Sequence, residues 1–200
     1  MPEGSYVSGE KALVENYLPK QEAKSIQKPK QQLWVVSHGW LTAEHPDPAG
    51  HRLQELVEKL DDLGADENDA VFFDFPSLPQ IDKLHVEYRH GEKLPDGHPA
   101  LKSAKEIETF NIAMGGMDKL YASSASRVVL MRTVYKTDDI PVRPGGIPYT
   151  LNSRPYCGRG WCVVELTLSH HHGRIANVGD VPDKMPLENV SPDAFEKAIE

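Results

Sequence analysis

Three short stretches hold the side chains with which this chain could do chemistry. They are Ser37-His38-Gly39-Trp40, Asp74-Phe75-Pro76-Ser77, and Arg159-Gly160-Trp161-Cys162-Val163-Val164-Glu165-Leu166. Between them they offer two carboxylates, an imidazole, two hydroxyls and three aromatic rings. Glu165 stands four residues after Trp161, so on a helix the carboxylate and the indole share a face. An indole can pack against a flat ligand beside such a carboxylate, and burial can tune the carboxylate's pKa. Each residue also has a plainer reading. Trp161, Val164 and Leu168 have the spacing of a core stripe, and Glu165 near a helix start gains from the macrodipole. Ser37 can satisfy backbone groups in a turn, Trp40 can anchor a loop, and Asp74 can cap one.

Other chemistries find little support. His170, His171 and His172 are consecutive, so on a helix they point in three directions and cannot chelate one ion. There is no His-x-x-x-His pair and no Cys-x-x-Cys, so no metal is expected. Cys162 has no identifiable base and reads as a small buried apolar residue. No glycine-rich phosphate loop or nucleophile elbow is present.

For the three stretches to meet, the elements before them must lie side by side. Gln32-Leu33-Trp34-Val35-Val36-Ser37 is a continuous apolar run with β-branched residues, which predicts a strand buried on both faces. Ala70 to Phe75 predicts a second strand, ended by Pro76, and Arg127 to Val134 a third. An amphipathic helix is expected from about Ala49 to Leu63, with Leu53, Leu56, Val57 and Leu60 inward and Gly64 as its stop. Another is expected over Leu101 to Tyr121, weakened at Gly115-Gly116. Tyr135 to Gly160, rich in proline and glycine, reads as one irregular excursion. Trp161 to His172 has helical spacing, and a short strand is expected near Arg174 to Val178. This alternation predicts an α/β layer with a mostly parallel sheet, whose ligands bind beyond the carboxyl ends of the strands.

The composition narrows the partners. The chain has 200 residues and a formal charge of −8, with no basic tract, so a phosphate-tracking nucleic-acid binder is not expected. No apolar run is long enough to span a bilayer, and no secretory signal is visible, so a cytoplasmic protein with no membrane partner is expected. Two cysteines, Cys157 and Cys162, do not make a disulfide framework. The chain divides into a polar N-terminal extension (1–31), with a weakly helical stretch from Gly9 to Tyr17, and an α/β domain (32–180). A C-terminal helical segment (181–200) begins at Ser191-Pro192-Asp193 and runs into the last residue, as in a piece of something longer.

The three stretches, in this order, resemble the Toll/interleukin-1 receptor (TIR) domain and its TIR-like relatives. Ser37-His38 after the first strand is similar to the family's first box. Val71-Phe72-Phe73-Asp74 resembles its second strand, leading into the loop known for assembly contacts. The most specific match is Trp161-Cys162-Val163-Val164-Glu165-Leu166, similar to the family's Trp-Cys-x-x-Glu-Leu helix start. The resemblance spans roughly residues 32–178. The loop after Asp74 and the excursion before Arg159 are longer than the family pattern.

The resemblance implies a flavodoxin-like or TIR-like three-layer sandwich with a mostly parallel sheet and long loops. It also implies an NAD-cleaving glycohydrolase or cyclase that needs no cofactor, because NAD is the substrate. Glu165 would be the catalytic carboxylate. Ser37, His38, Gly39, Trp40, Asp74, Phe75 and Trp161 would bind substrate, with self-association on activation. One carboxylate suffices for that chemistry. Nicotinamide in NAD carries positive charge and departs neutral, whereas ordinary glycosidases must protonate their leaving group. The alternatives are a non-catalytic TIR-like module that signals by self-association, and a nucleoside- or nucleotide-sugar-processing enzyme with Glu165 as nucleophile.

Overall fold

The computed structural model describes residues 31–83, 85, 87, 91–136 and 140–185. The expected helices near Gly9–Tyr17 and after Ser191 lie outside the described residues. The three apolar runs form strands β1 (Leu33–His38), β2 (Ala70–Phe72) and β3 (Ser126–Met131). All pair in parallel, in the order β2-β1-β3, with Leu33 opposite both Ala70 and Ser126 and His38 opposite Met131. The chain is therefore an α/β protein with a three-stranded all-parallel sheet flanked by helices.

Alternation along β1 and β3 explains why both faces are apolar. Val35, Val128 and Leu130 face one core with Met117, Tyr121, Tyr156, Cys162 and Leu166. Trp34, Val36, Val129 and Met131 face another with Leu56 and Phe73. The Trp34 indole finds a partner for its N–H in Asp69 Oδ2 at 2.9 Å, the condition on which a buried Trp is tolerated.

Several boundaries differ from the sequence expectation, each for a local reason. β2 stops at Phe72, because Asp74–Ser77 turn into a short helix, α2. Ser77 closes that turn: its Oγ accepts the Phe73 N–H at 3.1 Å and its N–H donates to Phe73 O at 2.9 Å. Helix α1 (His51–Asp62) is rotated from the expected face: Leu56 is buried, but Leu53 and Val57 are 56% and 50% exposed. Arg52 takes the inward place instead, donating to Thr133 O at 2.6 Å and Gly39 O at 3.3 Å. Carbonyls beyond the ends of β1 and β3 need donors, and hydropathy periodicity does not register that demand.

The long helix expected over Leu101 to Tyr121 is two helices, α3 (Ala104–Met114) and α4 (Met117–Ala122), parted at Gly115-Gly116. Helix α3 starts in a capping box, with Ser103 and Glu106 each satisfying the other's backbone N–H. Helix α5 (Gly160–His171) ends at a left-handed Gly173 with φ 63°. No helix among the described residues is long and apolar enough to cross a membrane.

The strand expected near Arg174 is reduced to a single bridge between Ile175 and Val128. Beyond it the Asn177 side chain pairs with β3, accepting the Leu130 N–H at 2.9 Å and donating to Leu130 O at 2.8 Å. Asn177→Ala leaves both Leu130 groups without these partners. It is expected to lower the unfolding free energy by about 1–3 kcal/mol, read from a urea midpoint at unchanged m-value. A change near zero would mean that the amide adds nothing to the edge.

Candidate functional site

The sheet brings the ends of β1 and β2 beside α5, and a cleft of about 420 Å³ opens there. His38, Gly39, Trp40, Asp74, Trp161 and Glu165 line it, so six of the eight residues singled out in the sequence share one wall. The other two stand behind. Ser37 is fully buried beneath the carboxylate, and Phe75 packs edge-on against the Trp40 ring with centroids 5.5 Å apart.

Glu165 is the sixth residue of α5, beyond the first turn, so the macrodipole adds little to it. Trp161 is 59% exposed at the rim, which sets aside its reading as core; Cys162, Val163 and Leu166 make the helix's buried face. The sequence spacing was right about the shared face, since Trp161 and Glu165 look into the same cleft.

A chain of hydroxyls meets the carboxylate. Ser37 Oγ donates to Glu165 Oε2 at 2.6 Å, and Ser37 Oγ lies 2.5 Å from Tyr156 Oη. With the Ser37 proton on Glu165, Tyr156 is the donor to Ser37. The Tyr121 phenol reaches the same carboxylate and also lies 3.1 Å from Val36 O. Its single proton cannot serve both acceptors, so protonation of Glu165 and the direction of the Tyr121 proton are coupled. Neither tyrosine was singled out in the sequence. Tyr156 lies in the irregular excursion and Tyr121 at a helix end, and nothing in their spacing marks them.

Burial is the largest influence on Glu165. Although the residue keeps partial exposure, its carboxylate is packed by protein and its pKa is pushed up to about 8. The Asp74 charge pushes the same way, while the Ser37 and Tyr121 hydrogen bonds oppose it. Asp74 itself goes down. Burial works to raise it, but His38 Nε2 at 2.7 Å, the Trp40 indole at 3.0 Å and the Phe75 N–H together outweigh burial. Two carboxylates on one cleft are thus driven apart, one proton-holding and one ionised, as acid and base partners often are.

Cys162 donates its thiol to His38 O at 3.4 Å, and burial pushes its pKa far up. It is a buried thiol rather than a nucleophile. Arg159 ties the rim together, donating to Arg154 O and Asn152 O at 2.9 Å each and to Trp40 O. Gly39 leaves room for it: a Cβ there would lie 2.6 Å from the guanidinium carbon, and the Arg159 side chain would have to shift.

One cluster the sequence did not reveal lies away from these contacts. His85, Glu87 and His98 bring ligand-type atoms within 4.8 Å of one another. Each ring accepts a backbone N–H at Nδ1, from Glu87 and Ala100, which places its proton on Nε2. His98 Nε2 then donates to Glu87 at 2.7 Å.

No model of a known protein family matches the chain, and no curated protein or solved structure matches it either.

An acid whose folded-state pKa lies above its unfolded value holds more protons folded than unfolded between the two. Stability then falls as pH rises through that window. For Glu165 the window runs from 4.5 to about 8. Glu165→Gln removes the titration and is expected to melt higher than wild type at pH 9, and level with it at pH 5. Each kcal/mol gained moves Tm by about 2–4 °C in a chain of this size. Parallel pH profiles of Tm in calorimetry would mean that the carboxylate is solvated.

Proposed function

We propose that this chain cleaves the bond between nicotinamide and ribose in NAD, in the manner of the TIR-like hydrolases it resembles, with Glu165 as the essential carboxylate. One observation carries the reading: the Glu165 carboxylate, held by the Ser37 hydroxyl, looks into a cleft beside an exposed indole. The parallel sheet and the order of the three stretches support a TIR-like fold, finer than the α/β class alone.

The geometry suits the reaction. A carboxylate kept from water acts strongly on charge that develops nearby. As nicotinamide leaves with the bonding pair, positive charge appears on the ribose C1′, and ionised Glu165 stabilises it. Water adds to C1′ and gives up a proton, leaving ADP-ribose. The Ser37 hydroxyl holds the carboxylate in one orientation, and Ser37 and Tyr121 both favour its ionised form. The Trp161 ring, exposed at the rim, gives nicotinamide or adenine a surface to stack on.

The rival reading, a module that self-associates without catalysis, draws on Leu53 and Val57, one turn apart and half exposed on α1. Self-association and catalysis are compatible, so the assay should span low and high protein concentration.

Nicotinamide release from NAD, followed by chromatography, decides between them. Wild-type kcat/KM is expected to rise with pH and level off above about 8 as Glu165 ionises. Glu165→Gln is expected to lose roughly 100-fold or more, while Trp161→Ala raises KM more than it lowers kcat. A wild-type chain that assembles but releases no nicotinamide at any concentration supports the module. Equal rates in wild type and Glu165→Gln remove Glu165 from the mechanism.

A further inference from the structure

The cleft holds more positive charge than cleavage at one carboxylate needs. Lys83, Arg154 and Arg159 line it, in a chain whose formal charge is −8. The two carboxylates they face, Asp74 and Glu165, are engaged by His38, Trp40 and the hydroxyls described above. Among the described residues, neither Lys83 nor Arg154 forms an ion pair with a carboxylate.

Lys83 is nevertheless held in place. Its ammonium donates to Ala43 O at 2.8 Å and lies 4.6 Å from the centre of the Trp40 ring. Arg143, buried, anchors the Lys83 backbone by donating to its carbonyl at 3.1 Å. The nearby carboxylate that attracts Lys83, Glu44, is already occupied by the Thr150 N–H at 2.9 Å and hydroxyl at 2.7 Å.

A fourth cation stands beside the cleft. Lys102 is near enough to oppose the Lys83 charge, and its ammonium lies 3.4 Å from the centre of the Phe110 ring, itself part of the cleft wall. Glu106 attracts Lys102 from α3, yet two ammoniums held over aromatic faces and repelling one another are stabilised by an anion that bridges them. Lysine meets phosphate as a point charge and arginine as a planar fork, so Arg154 adds direction to the pair. Arg159 contributes charge, but its N–H groups are turned to three carbonyls.

We propose that Lys83, Lys102 and Arg154 form a diphosphate-binding rim on this cleft, so that its ligand is a nucleoside diphosphate, or a dinucleotide joined through one, rather than a neutral nucleoside. The assignment deepens the NAD reading, and rests on it only for which end of the ligand meets Glu165. A cleft of about 420 Å³ falls in the range of small-ligand sites.

Calorimetric titration of the full chain with ADP and with adenosine tests the rim without any turnover. Wild type is expected to bind ADP at least tenfold more tightly than adenosine, with the preference shrinking as salt is raised. Arg154→Met, on an exposed residue, and Lys83→Met are each expected to cut the preference roughly tenfold. Lys83→Arg, which keeps the charge, should restore most of it; an unchanged Tm in each variant shows that the fold survives. Adenosine binding as tight as ADP in wild type overturns the rim, as does a preference that persists in the double variant Lys83→Met with Arg154→Met.

The two readings fail separately. A chain that prefers ADP through these residues but releases no nicotinamide keeps the rim and loses the reaction. One that cleaves nicotinamide riboside as efficiently as NAD keeps the reaction and loses the rim.

Discussion

Keeping a carboxylate away from water is costly, and the surroundings of Glu165 are organised around that cost. The end of β1 supplies Ser37 from below, the turn before α5 supplies Tyr156 to support Ser37, and Tyr121 of α4 stands close at the side with its hydroxyl turned to Val36 O. Asp74 adds a second negative charge nearby, and His38 and Trp40 bind it so that it stays ionised while Glu165 holds its proton. Removing any one of these donors would shift the proton balance of the whole wall. The burial of both tyrosines also pushes their own pKa values up, so they remain donors at any pH the fold tolerates.

The second organising demand is the satisfaction of backbone carbonyls beyond the strands. Arg52 reaches two of them from α1, and Arg159 reaches three from the start of α5. These guanidiniums act as cross-links between loops. They hold Gly39, Trp40, Asn152 and Arg154 in fixed relation, and those residues form much of the cleft. Among the described residues of the excursion before α5, one bridge joins Leu151 to Thr42, and the Arg159 side chain ties Asn152 and Arg154 to Trp40.

The sheet was legible in the sequence, because strands such as β1 and β3, buried on both faces, must be written as unbroken apolar runs; β2 is apolar too, although its Val71 is exposed. The residues just past those runs could be placed on one rim for the same reason, and the i to i+4 spacing of Trp161 and Glu165 put them on one face. What the sequence left hidden shares a different character. Arg52 is turned inward to meet carbonyls that no pattern displays. Tyr121 stands beside Glu165 from 44 residues away in the chain, and Tyr156 reaches Ser37 beneath it from 119 residues away. Lys83 lies in a polar segment with no periodicity, so nothing distinguished it from any solvated lysine. Asn177 replaces a strand that the apolar residues around it had suggested.

The Asn177 amide has a consequence for how the sheet meets other chains. By filling the hydrogen-bonding positions of Leu130, it blunts the outer edge of β3 as a template for a further strand. The opposite edge, β2, is only three residues long, and α2 turns the chain aside directly after it. A parallel sheet this narrow would otherwise invite growth at both margins. Here one margin is stoppered by a side chain and the other is too short to seed a ladder, so contacts between copies are steered away from backbone pairing and onto side-chain surfaces.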